Sequence, residues 1–113
     1  MQPRALKYIL DIEAVIIEIE SFKKLADNNF DIYCNQQVIK RAVERNLEII
    51  GEAIKGLKST DETIEITSSN KIIGLRNLIS HAYDSVEDEL IWGIIQKDIP
   101  RLFDEIQKLK NGT

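Results

Sequence analysis

The sequence predicts an all-α fold, an up-and-down antiparallel bundle of four main helices, from three observations. Apolar residues recur at spacings of three and four over long stretches, which is the period of a helix with one buried face. Only residues 62 to 67 alternate as a strand would, and one short isolated segment cannot form a sheet. Only two prolines and five glycines interrupt the 113 residues. Short connections between long helices make neighbouring helices antiparallel.

The first predicted helix opens at Pro3, because proline is well placed at the first helical position, and it runs to about Asn28. Its apolar residues lie on more than one face, so it is expected to pack against several neighbours. These residues are Leu6, Ile9, Leu10, Ile12, Ile16, Ile17 and Ile19.

The second predicted helix begins at Asn35, a suitable N-cap residue, and is ended by Gly56 and the polar stretch of residues 58 to 61. Gly51 in its middle costs about 1 kcal/mol relative to alanine, and a close approach of another helix would explain it. Residues 58 to 69 form the longest polar connection, in which Ile64 and Ile66 are expected to dock onto the bundle.

A serine or asparagine at positions 68 to 70 caps the third predicted helix, which runs to about Ala82. After a bend at residues 83 to 85, the fourth helix starts at Ser85. Pro100 is expected to kink or split it near Ile99, because a proline inside a helix lacks the N–H of the helical hydrogen bond.

The composition indicates a single globular domain over residues 1 to 113, with 43% hydrophobic and 30% charged residues. No apolar run approaches the roughly 20 residues that span a bilayer, and the start lacks the pattern of a signal peptide. One cysteine, Cys34, excludes an internal disulfide, so a cytoplasmic protein with no membrane association is expected. A net charge of −4 means that any nucleic acid must be bound locally.

Residues 76 to 83 read Arg-Asn-Leu-Ile-Ser-His-Ala-Tyr and contain the only histidine. At about 100° per residue, Arg76, Asn77, Ser80 and His81 fall within an arc of roughly 140°. The apolar residues of the same helix lie opposite that arc, except Ile73, which falls near 60° on the polar side. Asn77 and His81 are four residues apart and can touch, and so are Arg76 and Ser80.

That set of side chains suits the cleavage of an RNA phosphodiester, in which the 2′-hydroxyl supplies the nucleophile. An imidazole titrates near neutral pH, so His81 is the candidate for moving protons. Arg76 is the candidate for holding the phosphate, since a guanidinium is always charged and binds two oxygens. Asn77 could orient the imidazole or bind the phosphate, and Ser80 could add a donor to the substrate.

No metal or other cofactor is expected, because the sequence has no paired histidines, no cysteine cluster and no Asp-x-Asp. Cleavage by acid and base is easiest with two proton carriers, whereas each chain has one histidine. A homodimer about a two-fold axis would bring two copies of His81 and Arg76 together.

The residues Arg76-Asn77-Leu78-Ile79-Ser80-His81-Ala82-Tyr83 resemble the Arg-x4-His-x-Tyr signature of the HepT-like branch of the HEPN superfamily. The resemblance covers nearly the whole chain. Residues 50 to 53, Ile-Gly-Glu-Ala, resemble an element of that family's second long helix, and residues 73 to 77 resemble its approach to the motif. Ile91-Trp92 and Ile99-Pro100 resemble its closing helix.

The resemblance implies a metal-independent endoribonuclease with a composite site at a dimer interface, acting as the toxin of a toxin–antitoxin module. It also implies a partner, an MntA-like minimal nucleotidyltransferase, which silences the nuclease by transferring AMP from ATP to the motif tyrosine. By position that tyrosine is Tyr83. Many relatives place an aromatic residue where this chain has Ser68-Ser69-Asn70, a departure that leaves the motif itself intact.

Other interpretations of these residues are open on the sequence alone. A lone histidine near a helix end often caps the helix, an arginine often forms a surface ion pair, and a helical serine often bonds its own turn. The alternative function is a non-catalytic helical subunit that presents substrate or nucleotide to the nucleotidyltransferase. The basic residues of the second helix, Lys40, Arg41 and Arg45, are either solvated or flank the cleft.

Overall fold

The chain forms helices almost throughout, and the first of them opens at a proline as predicted. The computed structural model describes residues 2–81 and 87–112. These contain α1 (Pro3–Leu25), α2 (Phe30–Cys34), α3 (Gln37–Thr60), α4 (Ser69–His81), α5 (Asp88–Gly93), a π-helical turn (Ile94–Asp98) and α6 (Ile99–Lys110). For five residues of α4 the description covers the backbone alone: Arg76, Leu78, Ile79, Ser80 and His81. The described residues contain no strand, so the predicted all-α class is confirmed.

Two contacts show that α1 runs antiparallel to the closing helix, which consists of α5, the π-helical turn and α6. In the middle of α1, Glu13 Oε2 pairs with Lys110 Nζ, at the end of α6, at 3.0 Å. Near the end of α1, Lys23 Nζ donates to the Ile95 carbonyl oxygen of the π-helical turn at 3.3 Å. The second half of α1 therefore lies along the closing helix, and α1 also packs on α3.

The central helix α3 packs against α1 on one side and α4 on the other. The ring of Tyr8 lies where a side chain at Gly56 would be, so that a Cβ there would clash with its Cζ. Glycine at position 56 therefore allows α1 to approach closely. The helix continues past Gly56 and ends at Thr60, within the polar stretch that was predicted to end it. At the end of α3, Lys58 Nζ donates to Ser69 Oγ at 3.2 Å, which makes α4 antiparallel to α3.

A short helix, α2, occupies the segment between the first two long helices, which the sequence pattern did not predict. Asn29 caps it by accepting a hydrogen bond from the backbone N–H of Ile32 at 3.0 Å. Asn35 follows α2 and donates to the Asp31 carbonyl oxygen at 2.8 Å. The prediction of Asn35 as the cap of the next helix was wrong, because α3 starts at Gln37 and Gln36 is its N-cap residue.

The core is almost entirely aliphatic and draws on every long helix and on the connection between α3 and α4. Ile64 and Ile66 of this connection are buried, at 9% and 5% exposed, so their predicted docking is confirmed. The alternation of residues 62 to 67 thus comes from an extended segment lying on the bundle. The largest side chains of the core that are fully buried include Ile9, Ile12, Ile16, Ile19, Leu47, Ile50, Ile54, Leu57, Ile72, Ile91 and Ile94.

The predicted interruption at Pro100 takes the form of the π-helical turn that precedes it. In that turn the backbone N–H of Ile99 donates to the Ile94 carbonyl oxygen, five residues back. The same spacing from Pro100 would reach the Ile95 carbonyl oxygen, but proline has no N–H to donate. Lys23 supplies the missing donor from α1. The closing helix therefore continues from α5 into α6 without leaving this carbonyl unpaired.

Two carboxylates of the closing helix fix the start of α4. Asp98 is 6% exposed and accepts a hydrogen bond from Ser68 Oγ at 2.7 Å. It also pairs with Lys71 Nζ at 3.0 Å, in the first turn of α4. Glu105 accepts hydrogen bonds from the backbone N–H and the hydroxyl of Thr67, at 3.1 and 2.8 Å. The segment leading into α4 is thereby held at two points on one face of the closing helix.

These partners decide the charge state of Asp98. Burial by itself would raise the pKa of this carboxyl, because charge is costly to remove from water. The hydrogen bonds from Ser68 and Lys71 and the positive charges of Lys71 and Arg101 outweigh burial and lower its pKa. Asp98 therefore stabilises the fold as an anion.

An aromatic cluster joins α2 to α5. The ring of Trp92 lies 5.1 Å from that of Tyr33 and 5.8 Å from that of Phe30, with both pairs tilted. Tyr33 is 1% exposed, and its hydroxyl has no hydrogen-bond partner among the described residues. Its ring therefore stabilises the fold, whereas its hydroxyl carries the cost of burial.

We expect Asp98→Asn to lower the free energy of unfolding by about 1.5–3 kcal/mol at pH 7, since it weakens buried hydrogen bonds to a charged group. Because folding lowers the pKa of Asp98, its stabilisation is present above the unfolded pKa and is lost as the pH falls through the folded value. Urea denaturation at pH 7 and at pH 3 should therefore show a large difference from the wild type that shrinks in acid. Asp104→Asn, an exposed change on α6, is the matched control, and an equal loss in both variants would contradict this role.

We expect Tyr33→Phe to leave stability unchanged or to raise it by about 1 kcal/mol, because it removes an unpaired buried hydroxyl and keeps the ring. Urea denaturation followed by the fluorescence of Trp92, the single tryptophan, measures this directly. A loss above about 1 kcal/mol would mean that the hydroxyl has a stabilising partner.

Candidate functional site

Residues 76 to 81 of the motif lie on one continuous helix, α4, as the predicted arc requires. Ile72 and Leu75 are buried, at 0% and 2% exposed, and Asn77 is exposed. These three positions of α4 fit the predicted separation of its apolar and polar sides, whereas Ile73 is an apolar residue on the polar side. Asn77 also takes part in a contact within the protein.

Several of the predicted site residues lie partly or wholly outside the described part. The backbone of α4 carries Arg76, Ser80 and His81, whose side chains are not described. Tyr83, the expected site of AMP attachment, falls in the segment 82–86 and lies outside the described residues. The roles assigned to these four residues stay predictions.

A group of titratable side chains lies where the chain returns after the motif. Lys40 near the start of α3 pairs with Asp88 at the start of α5, with Nζ and Oδ2 3.0 Å apart. Cys34 and Tyr33 of α2 and Glu44 of α3 interact electrostatically with Asp88. These five residues are called the α3–α5 cluster below. It joins α2, α3 and α5, and its member Asp88 follows the end of α4 by seven residues.

Burial sets the protonation of this cluster. It raises the pKa of Glu44, the pKa of the Tyr33 phenol and the pKa of the Cys34 thiol, and the negative charge of Asp88 acts in the same direction on all three. Lys40 opposes these effects at Glu44 and at Cys34. The thiol is thus held in its unreactive protonated form, and no nucleophile is indicated at Cys34.

The basic residues of α3 do not form one surface. Lys40 is half-buried in its ion pair, whereas Arg45 lines a groove between α1 and α3. The same groove is lined by acidic side chains, among them Asp11, Glu48 and Glu52. Its mixed charge gives no preference for an anion, so it is not an extension of the candidate RNA site.

The sequence patterns did not single out Glu44, Asp88 or Tyr33 as part of a site. A signal was present for Glu44, because it stands between Val43 and Leu47, two fully buried positions of α3. A charged residue at the edge of an apolar stripe is only half exposed to water. The pairing of Lys40 with Asp88, 48 residues apart, has no sequence signal of this kind.

The described part of the chain contains neither a candidate metal centre nor a candidate membrane span. No set of three histidine, cysteine, aspartate or glutamate side chains in residues 2–81 and 87–112 is grouped to hold a metal ion. No helix in these ranges combines the length and the apolar character needed to cross a bilayer.

Comparison with known proteins gives the family. The family model described as "Ribonuclease HepT-like" matches residues 12–109. The protein named "Putative RNase MJ1380" of Methanocaldococcus jannaschii is 30% identical over 101 residues, covering 88% of this chain and 91% of that protein. "Putative RNase TTE0752" of Caldanaerobacter subterraneus is 32% identical over 100 residues, covering 87% and 89%.

A third relative carries the family name itself. "Probable ribonuclease HepT" of Thermococcus cleftensis is 30% identical over 104 residues, covering 91% of this chain and 93% of that protein. No solved structure gives a significant match to this chain. The family model covers most of the chain and includes all of α4, so this protein belongs to the HepT-like ribonuclease family.

Proposed function

We propose that this protein is a metal-independent endoribonuclease that cleaves RNA through the motif on α4. The observation that carries the proposal is the placement of Arg76, Asn77, Ser80 and His81 on one helix of a HepT-like chain. Its relatives bear ribonuclease names, which supports the same class of reaction. The first turn of that helix is clamped to the closing helix, which suits a site that must hold its geometry.

In the proposed reaction the RNA 2′-oxygen forms a bond to phosphorus while the bond from phosphorus to the 5′-oxygen breaks. One imidazole takes the proton of the 2′-hydroxyl, and a second gives a proton to the leaving 5′-oxygen. Arg76 binds the non-bridging oxygens, whose negative charge grows in the transition state. Asn77 orients the imidazole or the phosphate, and Ser80 donates a further hydrogen bond. The products are a 2′,3′-cyclic phosphate and a 5′-hydroxyl.

The proposal includes a homodimer, because each chain has a single histidine and the reaction uses two proton carriers. A two-fold axis beside α4 would bring Arg76 and His81 of both copies to one cleft. This would also gather positive charge in a protein whose net charge is −4.

We further propose that the protein is the toxin of a toxin–antitoxin pair and that its antitoxin is an MntA-like nucleotidyltransferase. The partner would silence the nuclease by AMP transfer, in which the Tyr83 hydroxyl gives up its proton to solvent, its oxygen forms a bond to the α-phosphorus of ATP, and the bond from that phosphorus to the leaving pyrophosphate breaks. AMP at Tyr83, two residues past His81, would add bulk and negative charge where the RNA phosphate must bind. The family relationship supports this partner.

We expect His81→Ala to reduce RNA cleavage by at least about 10²-fold without a loss of folding, since it removes the proton carrier. Purified protein is incubated with RNA in the presence of a chelator, and the product ends are analysed for the cyclic phosphate. Asn70→Ala, an exposed change in the first turn of α4, should cleave as the wild type does. Undiminished cleavage by His81→Ala would refute the assignment. A wild-type protein that binds the nucleotidyltransferase but never cleaves RNA would favour the alternative of a non-catalytic subunit.

Tyr83→Phe should abolish modification by the partner, because phenylalanine has no hydroxyl to accept AMP. The protein is incubated with the nucleotidyltransferase and ATP, and its intact mass is followed for additions of AMP. Tyr8→Phe on α1 is the matched control and should be modified normally. Additions of AMP to the Tyr83→Phe protein would place the acceptor elsewhere.

A further inference from the structure

One apolar face of α1 remains exposed in the folded bundle. Two other faces of this helix pack on α3 and on α6. On the remaining face, Leu10, Ile17 and Leu25 are 42%, 59% and 68% exposed, although all three are large apolar residues. The helix is therefore apolar on more faces than its contacts within the described part of the chain cover.

The exposed residues of this face form one line along α1, opposite the buried residues of the same helix. At about 100° per residue, they fall within an arc of roughly 100°. Lys7 and Lys24, the charged residues of this arc, lie at its two edges, where a long side chain can bend away from an apolar surface. The line is called the α1 stripe below and consists of Pro3, Leu6, Leu10, Ala14, Ile17, Ser21 and Leu25.

The α1 stripe repeats every eleven residues. Its spacings are three, four and four, and then the same again, so that Pro3, Ala14 and Leu25 occupy equivalent places. An eleven-residue repeat has about 3.67 residues per turn, near the roughly 3.6 of a straight α-helix. A stripe of this period stays on one side of the helix over its full length, and it matches a second helix that has the same period.

We propose that the α1 stripe binds the same stripe of a second copy of this chain, with the two α1 helices antiparallel about a two-fold axis beside Ala14. A small residue then lies at the centre, where the two helices approach most closely. On either side of the axis, Leu10 lies opposite Ile17 of the second copy, and Leu6 lies opposite Ser21. Each copy supplies both members of every pair, as a contact about a two-fold axis requires.

Polar groups on one flank of the α1 stripe favour this arrangement. Ser21 Oγ donates to the Glu18 carbonyl oxygen at 2.6 Å, so its hydroxyl is already paired when the stripe is covered. Lys7 pairs with Asp11 at 2.8 Å on this flank and comes within about 3 Å of the level of Glu18 of the second copy. Opposite charges thus meet twice at the edge of the contact.

The carboxylates on the other flank do not oppose the contact. Glu13, the residue nearest the axis on that side, pairs with Lys110 at 3.0 Å, and Glu20 pairs with Lys23 at 3.1 Å. Both pairs form within one copy. The two-fold axis therefore brings no uncompensated carboxylate next to its symmetry mate.

The size of the contact predicts weak association. Because α1 has 23 residues, two such helices packed along their length bury roughly 700 Å² in total. Stable interfaces bury about 1,200–2,000 Å², so the association is expected to depend on protein concentration. The contact uses α1, which is separated from α4 by α3, so it is compatible with the proposed RNA site and depends on neither RNA cleavage nor a dimer about α4.

Sedimentation equilibrium of the full-length protein at increasing concentration tests the contact. We expect an association step that Ile17→Glu weakens about tenfold or more, because it places a charge where Leu10 of the second copy packs. Leu90→Glu makes the same kind of change at an exposed residue of α5 and should leave the step unchanged. If Ile17→Glu does not fold, Ser21→Glu at an exposed position replaces it. An association that is the same in the stripe variant and in the wild type, or absent from the wild type, would overturn the proposal.

The register gives a second test in a protein with Cys34→Ala, which removes the only cysteine. Under mild oxidation, Ala14→Cys should form a disulfide between two copies, because these positions meet at the axis. Leu10→Cys should form a disulfide with Ile17→Cys but not with itself, since position 10 of the second copy lies about 10 Å away along the helix. Asp104→Cys, an exposed position of α6, is the control.

Two results of these experiments would contradict the antiparallel pair. One is a disulfide between two copies of Leu10→Cys, and the other is no more disulfide in Ala14→Cys than in Asp104→Cys. A further result would assign the stripe to a different occupant and overturn the proposal, namely that Ile17→Glu loses binding to the nucleotidyltransferase while its self-association is unchanged.

Discussion

The buried carboxylate of Asp98 is the interaction on which the geometry of the bundle around α4 depends. It belongs to the π-helical turn of the closing helix and contacts both the connection that precedes α4 and the first turn of α4 itself. Burying an anion is favourable only when hydrogen bonds and opposite charge replace the water it loses. Ser68 and Lys71 provide these, so the correct docking of α4 and the charge of Asp98 are coupled.

The two ends of α4 have different surroundings. Its start is fixed by Asp98, Glu105 and Lys58, through contacts at 2.7 to 3.2 Å. Seven residues beyond its end, Asp88 belongs to the α3–α5 cluster, where the Glu44 carboxyl and the Cys34 thiol are half-buried and the Tyr33 phenol is buried. A start held at several points suits the fixed geometry that the proposed function requires of α4.

Proline and glycine show how far local rules predict this fold. Pro3 and Pro100 act as expected from their covalent structure, the first by opening a helix and the second by interrupting one. Gly56 does not end its helix, which continues to Thr60. The ring of Tyr8 from α1 occupies the space beside this glycine. Asn35 failed as a predicted cap for a similar reason, since the aromatic packing of Phe30 and Tyr33 on Trp92 stabilises a short helix before it.

The sequence by itself determined the all-α class, the four long helices and the separation of polar and apolar residues on α4, because these follow from a 3.6-residue period within single segments. It also identified the family, since the motif is contiguous along the chain. Only the tertiary structure decided that Asp98 holds the start of α4 and that Glu44, Lys40 and Asp88 gather beyond its end. Those contacts join residues 27 to 48 positions apart or bring three helices together, and no local spacing encodes them.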